Sequence, residues 1–167
     1  QVRADLKDEI DAWLKEQDEL ENSDAQRGIL ANQRAHMERT LATYVGLTES
    51  TRNERPDLVV WPENAVDFYL EREPFLRKQL ARAAALAPGG LLIGSPRLAA
   101  DADARNSARL LGANGEVTAH YDKQHLVPFA EASVFPARAA DAAEPIYGPG
   151  PRADPIVTPV GRLGAMI

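Results

Sequence analysis

The stretch SARLLGANGEVTAHYDK, residues 107–123, holds two strand-like runs on either side of Asn114-Gly115. Asn-Gly is a strong hairpin signal, because both residues accept the positive φ that a tight turn requires. A hairpin needs further strands or a covering helix to be stable, and two more runs supply candidates. DLVVW, residues 57–61, is a short β-branched run that meets Pro62 at once, and LLIGS, residues 91–95, is another short, mainly apolar run. Both have the character of buried strands. Between them, residues 71–87 read as a helix stopped by PGG at 88–90. Residues 124–155, rich in Pro, Ala and Gly, read as a long irregular connection of the kind that often carries function. PIVTPVG and RLGAMI then return to strand character around Gly161. The order helix, strand, helix, strand, hairpin, loop, strand, strand calls for a mixed sheet covered by helices, an α/β layered architecture.

The front of the chain is different. Residues 4–21 place Leu6, Ile10, Trp13, Leu14 and Leu20 at helical spacing with charge on the other face. SDAQ at 23–26 fits a capping box, Ser23 with Gln26 three residues on. It predicts a second helix carrying Leu30, Met37, Leu41, Tyr44 and Val45 on one stripe and fading near TESTRNERPD, before Pro56. The expected organisation is an acidic helical region over 1–56 followed by an α/β region over 57–167.

Residues 1–24 carry nine acids against three bases, which accounts for the whole net charge of −6; the rest is neutral. Such an acidic run usually marks a solvated helix face. With no basic stripe, the chain is a poor candidate for nucleic-acid binding, which depends on neutralising phosphates. The absence of cysteine excludes disulfides, thiolate metal sites and a cysteine nucleophile within these residues. No run of about 18 apolar residues occurs that would span a membrane. The chain opens on Gln1 without a signal-peptide pattern and ends on the apolar run GRLGAMI, residues 161–167, which reads as a strand for the middle of a sheet. A missing start residue and a strand-like end are what a segment of a longer chain would show.

Three residues could carry chemistry. Glu63, in WPENA, follows a buried strand and a proline that fixes its backbone. Strand ends often hold catalytic groups over an open cleft, and a partly desolvated carboxylate there can take a proton near neutral pH. By pattern alone it also reads as a surface glutamate opening a loop. Lys123 closes the second hairpin strand, and Glu131 lies beyond the apolar segment LVPF. A lysine at a cleft edge can stabilise an oxyanion, and a nearby carboxylate would keep it charged and oriented. The plainer reading is a solvated strand end and a loop charge. His36, His120 and His125 form no metal pattern, APGGLLIGS is no phosphate loop, and Ser95 and Ser107 lack the context of a nucleophile elbow. The reading therefore calls for no cofactor and no metal.

Together, DLVVWPENA and RNSARLLGANGEVTAHYDKQHLVPFAE resemble the nitrilase (carbon–nitrogen hydrolase) superfamily, and within it the apolipoprotein N-acyltransferase branch. The form Y-D-K-x-H-L-V-P-F is characteristic of that branch. The resemblance is firm over residues 57–131, extends to 167, and is weak over 1–56. It implies a nitrilase-like αββα sandwich, incomplete in these residues, and a Glu–Lys–Cys triad. Glu63 would be the base, Lys123 the oxyanion stabiliser and Glu131 a second essential glutamate supporting Lys123 or the acceptor amine. In the superfamily, a strand of the form of GRLGAMI leads into the nucleophilic cysteine, so that residue is expected directly after Ile167.

The implied reaction passes an acyl chain from a phospholipid to the N-terminal amine of a lipoprotein through a cysteine thioester. The implied partners are a phospholipid donor and an apolipoprotein acceptor. The implied location is the bacterial inner membrane, held by segments outside these residues, with the catalytic domain on the periplasmic side. The PFAE loop could help form a lid that admits lipid. Ala130 departs from the glycine usual in the family, which adds a Cβ to a tight loop. A soluble amidase or nitrilase, or a non-catalytic remnant or interaction domain, remains as an alternative. The 167 residues alone are expected to be inactive.

Overall fold

The computed structural model describes residues 2–100, 104–128, 131, 147–151 and 154–167; over 2–22, 24 and 25 it describes the helical backbone alone. Phe129, Ala130 and most of the expected long connection lie outside the described residues, as do the side chains of the stripe from Leu6 to Leu20.

Helix α1 runs from Val2 to Ser50 without the break expected at SDAQ. Ser23 sits inside it, where its carbonyl and its Oγ accept from Nε and Nη2 of Arg27 at 3.4 and 3.3 Å. A capping box starts a helix only where the preceding chain leaves helical geometry. Residues 2–22 contain neither Pro nor Gly to force that departure.

The chain forms two compact units, Gln1–His36 and Met37–Ile167. In the first, Ile29 and Leu30 are exposed, so Leu30 does not join the expected stripe. In the second, Leu41 and Val45 are buried, and Met37 and Tyr44 pack against the same core. The end of α1 thus belongs with the sheet. A 3₁₀ turn at Arg52–Glu54 and a left-handed Arg55 (φ 52°) then lead into Pro56, where the helix was expected to fade.

Four strands form a mixed sheet in the order β1 (Val59–Val60), β2 (Leu91–Leu98), β3 (Ala104–Leu111) and β4 (Val117–Asp122). β1 and β2 are parallel, joined through helix α2 (Pro74–Ala84), while β2–β3 and β3–β4 are antiparallel. Pro74 occupies the first turn of α2, where its missing N–H costs nothing, and Leu76, Leu80, Ala83 and Ala84 face the core. β2 tolerates Pro96 because β1 pairs only with Leu91 and Leu92, which leaves the far half of β2 without a neighbouring strand on that side among the described residues.

The β3–β4 hairpin closes with the five residues 112–116, longer than a two-residue Asn-Gly turn. Of the two turn residues only Gly115 has positive φ (78°); the Asn114 side chain instead accepts from the Glu116 amide at 3.1 Å. A register shift at Leu110/Leu111 absorbs the extra length.

Strand alternation divides the core. Val59, Leu91, Ile93 and Leu111 face α2 and the end of α1. Leu58, Leu92, Ala108, Leu110, Ala119 and Tyr121 form a second cluster on the opposite face. There the two-stranded sheet of β5 (Ile156–Thr158) and β6 (Gly161–Leu163) contributes Ile156 and Leu163.

The expectation that 161–167 fills the middle of a sheet is not met. β6 ends at Leu163, and beyond it Ala165 and Ile167 rest on the second cluster while Met166 is 93% exposed. The period-2 alternation is there, but among the described residues β6 pairs with β5 alone.

Candidate active site

Trp61 extends β1 by donating its amide to the Leu92 carbonyl at 2.9 Å. Its indole Nε1 donates to Thr48 Oγ1 at 2.9 Å, and its ring stacks on Tyr44 with centroids 5.0 Å apart. The residue before Pro62 is therefore fixed to α1, and the chain then turns sharply over β2. Asn64 takes the left-handed conformation (φ 56°), which Asn tolerates better than most residues. The Val66 amide rejoins the sheet by donating to the Gly94 carbonyl at 3.2 Å. A Cβ on Gly94 would lie 2.7 Å from Glu63 Cα, 2.8 Å from the Asn64 nitrogen and 2.9 Å from the Pro62 oxygen. Only glycine lets the Glu63 turn sit this close to the sheet.

Lys123 is the first residue after β4. Its amide donates to the Asn106 carbonyl at 2.8 Å, which continues the ladder by one step and directs both side chains to the face of the second cluster. There the Lys123 ammonium donates to Glu63 Oε1 at 3.0 Å and to Glu131 Oε1 at 3.1 Å. Asn106 Nδ2 donates to the same two oxygens, each at 2.8 Å. Two cationic or amide donors thus bridge two carboxylates that are far apart in the chain.

Glu131 is held further. Its Oε2 accepts from the Val127 amide at 2.9 Å, and its own amide donates to the Val127 carbonyl at 2.9 Å. Burial pushes the Glu131 carboxyl up, but the Val127 amide, Asn106 and Lys123 outweigh it and leave the group below the usual carboxylate range. Burial likewise pushes Lys123 down, while hydrogen bonds to Glu63 and Glu131 more than offset it and hold the ammonium above its ordinary value. The cluster therefore contains a fixed cation and one fixed anion.

Glu63 differs from Glu131 in access. Its side chain is 40% exposed against 14% for Glu131, and its Oε2 accepts no hydrogen bond from the described residues. Of the two carboxylates it is the one that an incoming group can reach. A cleft of about 210 Å³ adjoins it, lined also by Trp61, Gly94, Ala108, Met166 and Ile167. Together these groups offer a base, a neighbouring positive charge for an oxyanion, and an apolar wall.

All three residues singled out from the sequence meet in one place. Asn106 was not among them, although it is 1% exposed and touches both glutamates. The available signal was the polarity of β3: ARNSARLL is buried almost throughout yet contains Arg105, Asn106, Ser107 and Arg109. Among the described residues no group of three or more His, Asp or Glu is arranged to hold a metal, and no helix is long and apolar enough to cross a membrane.

Residues 26–167 match the carbon–nitrogen hydrolase family. The apolipoprotein N-acyltransferase of Geobacter metallireducens is 33% identical over 139 residues, which make up 78% of this chain and 27% of that protein. That of Brucella suis is 38% identical over 96 residues, 52% of this chain and 18% of the relative. The chain thus spans about a quarter or less of the length of these relatives. In fold it is similar to a carbon–nitrogen hydrolase from Helicobacter pylori (TM-score 0.51, 22% identity, 78% of this chain and 46% of that one). It is also similar to the C. elegans NitFhit protein (TM-score 0.55, 18% identity, 78% and 34% covered).

Proposed function

The chain belongs to the carbon–nitrogen hydrolase family, and on that premise we propose that it is part of the catalytic domain of an apolipoprotein N-acyltransferase. The observation that carries the reading is the Lys123 ammonium shared between Glu63 and Glu131 at 3.0 and 3.1 Å. The chemistry is placed in residues 57–167, with 1–56 as the acidic helical region before them.

The nucleophile is a cysteine directly following Ile167, whose neighbours already line the cleft beside Glu63. Glu63 takes the thiol proton, and the thiolate attacks the ester carbonyl of a phospholipid acyl chain. Lys123 stabilises the tetrahedral oxyanion, which collapses to a thioester as the lysophospholipid alcohol leaves with a proton. The α-amino group of the lipoprotein's N-terminal cysteine then attacks the thioester. A second oxyanion forms at the same place, and the amide product regenerates the thiol. Glu131, held below the usual carboxylate range, orients Lys123. The protein acts at the bacterial inner membrane, anchored by segments outside these residues, with this domain on the periplasmic side. The 167 residues alone are inactive, because the attacking group is not among them.

The test begins with the coding DNA on both sides. A cysteine codon after Ile167 and apolar helices upstream are expected. The protein carrying that cysteine, incubated with phospholipid, should gain the mass of one acyl group, and Glu63→Gln should abolish the adduct. A cysteine without apolar helices would move the reading to a soluble amidase. Any other residue, or a stop, would mean the fold without the chemistry.

A further inference from the structure

Asp122, the residue before Lys123, points to the other side of the sheet and is 5% exposed. Its carboxylate receives the Arg97 fork: Nε donates to Oδ1 at 3.0 Å and Nη2 donates to Oδ2. Ser107 Oγ donates to Oδ1 at 2.6 Å. Ser107 itself is fully buried and pairs in register with Asp122, and Arg97 comes from β2.

The two dipeptides Asn106-Ser107 and Asp122-Lys123 lie side by side, and each sends one side chain to each face. On one face Asn106 and Lys123 meet the two glutamates; on the other Ser107 and Asp122 meet Arg97. From a third direction the Gly150 amide donates to the Lys123 carbonyl at 2.8 Å. A Cβ on Gly150 would lie 2.3 Å from the backbone carbonyl oxygen of Asp122. His120 Nε2 stands 3.9 Å from Asp122 Oδ2 at the solvent edge.

A buried ion pair is costly, and replacement by apolar groups is often neutral for stability. An aspartate clasped by a bidentate arginine and a buried hydroxyl fixes geometry more surely than it adds stability.

We propose that Arg97, Ser107 and Asp122 are positioning residues for Lys123: they lock the end of β4 from behind the sheet and so aim the ammonium between Glu63 and Glu131. The proposal rests on the reading of Lys123 as the group that meets the oxyanion. Asp122 does not contact the ammonium in this arrangement; its effect passes through the backbone of one residue.

The chain contains four lysines, Lys7, Lys15, Lys78 and Lys123, so Nζ titrations by ¹⁵N NMR on lysine-labelled protein are resolvable, with three internal references. The decisive variant is Arg97→Lys/Ser107→Ala, which keeps both charges, removes the fork and the hydroxyl, and adds a fifth lysine signal that is identified by its absence from Ser107→Ala. Its Lys123 midpoint should fall towards the ordinary lysine value as the glutamate contacts loosen, with Lys7, Lys15 and Lys78 unmoved. Should the double variant not fold, Ser107→Ala alone should move Lys123 in the same direction by less. Glu63→Gln serves as the reference perturbation. If Glu63→Gln moves Lys123 and the folded Arg97 and Ser107 variants do not, the positioning role is refuted and the site reading stands. If Glu63→Gln also leaves Lys123 unmoved, the site reading and the proposal fall together.

Discussion

Gly94→Ala tests how tightly the Glu63 turn is held. The new methyl would lie 2.7–2.9 Å from three backbone atoms of Pro62, Glu63 and Asn64. Ordinary contact for a Cβ begins near 3.4 Å, so turn and strand must part by roughly 0.5–0.7 Å. Neither side yields freely. The turn is fastened ahead by the Trp61 amide on Leu92 and behind by the Val66 amide on Gly94 itself. Overpacking of this kind costs about 1–3 kcal/mol. The same displacement lengthens the 3.0 Å Glu63–Lys123 contact beyond hydrogen-bond range. A misplacement approaching 1 Å in a catalytic constellation lowers rates by about 10²-fold. Urea unfolding would report the first effect, and the rate of acyl-adduct formation in the cysteine-bearing protein the second. Gly46→Ala supplies the control: Gly46 lies inside α1 with nothing within 4 Å of the added methyl, so this change should stabilise by about 0.5–1 kcal/mol. If Gly94→Ala matched wild type in both stability and acylation, the close approach would have no part in placing Glu63.

Asn106→Leu should destabilise the fold by about 2–4 kcal/mol, since two hydrogen bonds to carboxylates are lost together. It should also raise the Glu131 midpoint, read by ¹³C NMR of the carboxyl; an unchanged midpoint would deny Asn106 its bridging role. The pH dependence of stability has a defined sign at each end. Glu131 and Asp122 titrate below their ordinary values in the folded state. Their stabilisation is full above about pH 5 and disappears as pH falls through the folded midpoints. Lys123 titrates above its ordinary value; its contribution is full below about pH 10 and lost as pH rises through the folded midpoint. Glu131→Gln should flatten part of the acid limb in urea melts recorded from pH 6 to pH 2, and an unaltered limb would contradict the assignment.

Much of this arrangement was legible in the residues. The alternation of short apolar runs with turn signals predicts the order of α2, β2, the hairpin and β5–β6 because each signal is local. Glu63, Lys123 and Glu131 are marked by the family resemblance of DLVVWPENA and YDKQHLVPFAE; by pattern alone each also reads as a surface, strand-end or loop charge. Asn106 does not, since its importance comes from register: it matters because it lies across the ladder from Lys123, and pairing is invisible in one strand alone. Ser23 misleads because a capping signal favours a helix start but does not end the helix before it. The 161–167 run has the alternation of a strand, yet its neighbours are chosen by tertiary context, and the described residues offer only β5.

The contacts of the site also have an order in time. The β3–β4 hairpin closes across a few residues, whereas Glu63 and Lys123 are 60 apart in the chain and Asn106 and Glu63 are 43 apart. Loop closure over such distances is entropically late and gains little until intervening strands are in place. Glu63 therefore meets the ammonium only after α2 has docked and β2 has zipped to β3, whereas Glu131, eight residues from Lys123, has no such distance to close. A half-folded chain holds Glu63 away from Lys123 and Asn106, so the cluster is complete only when folding has finished.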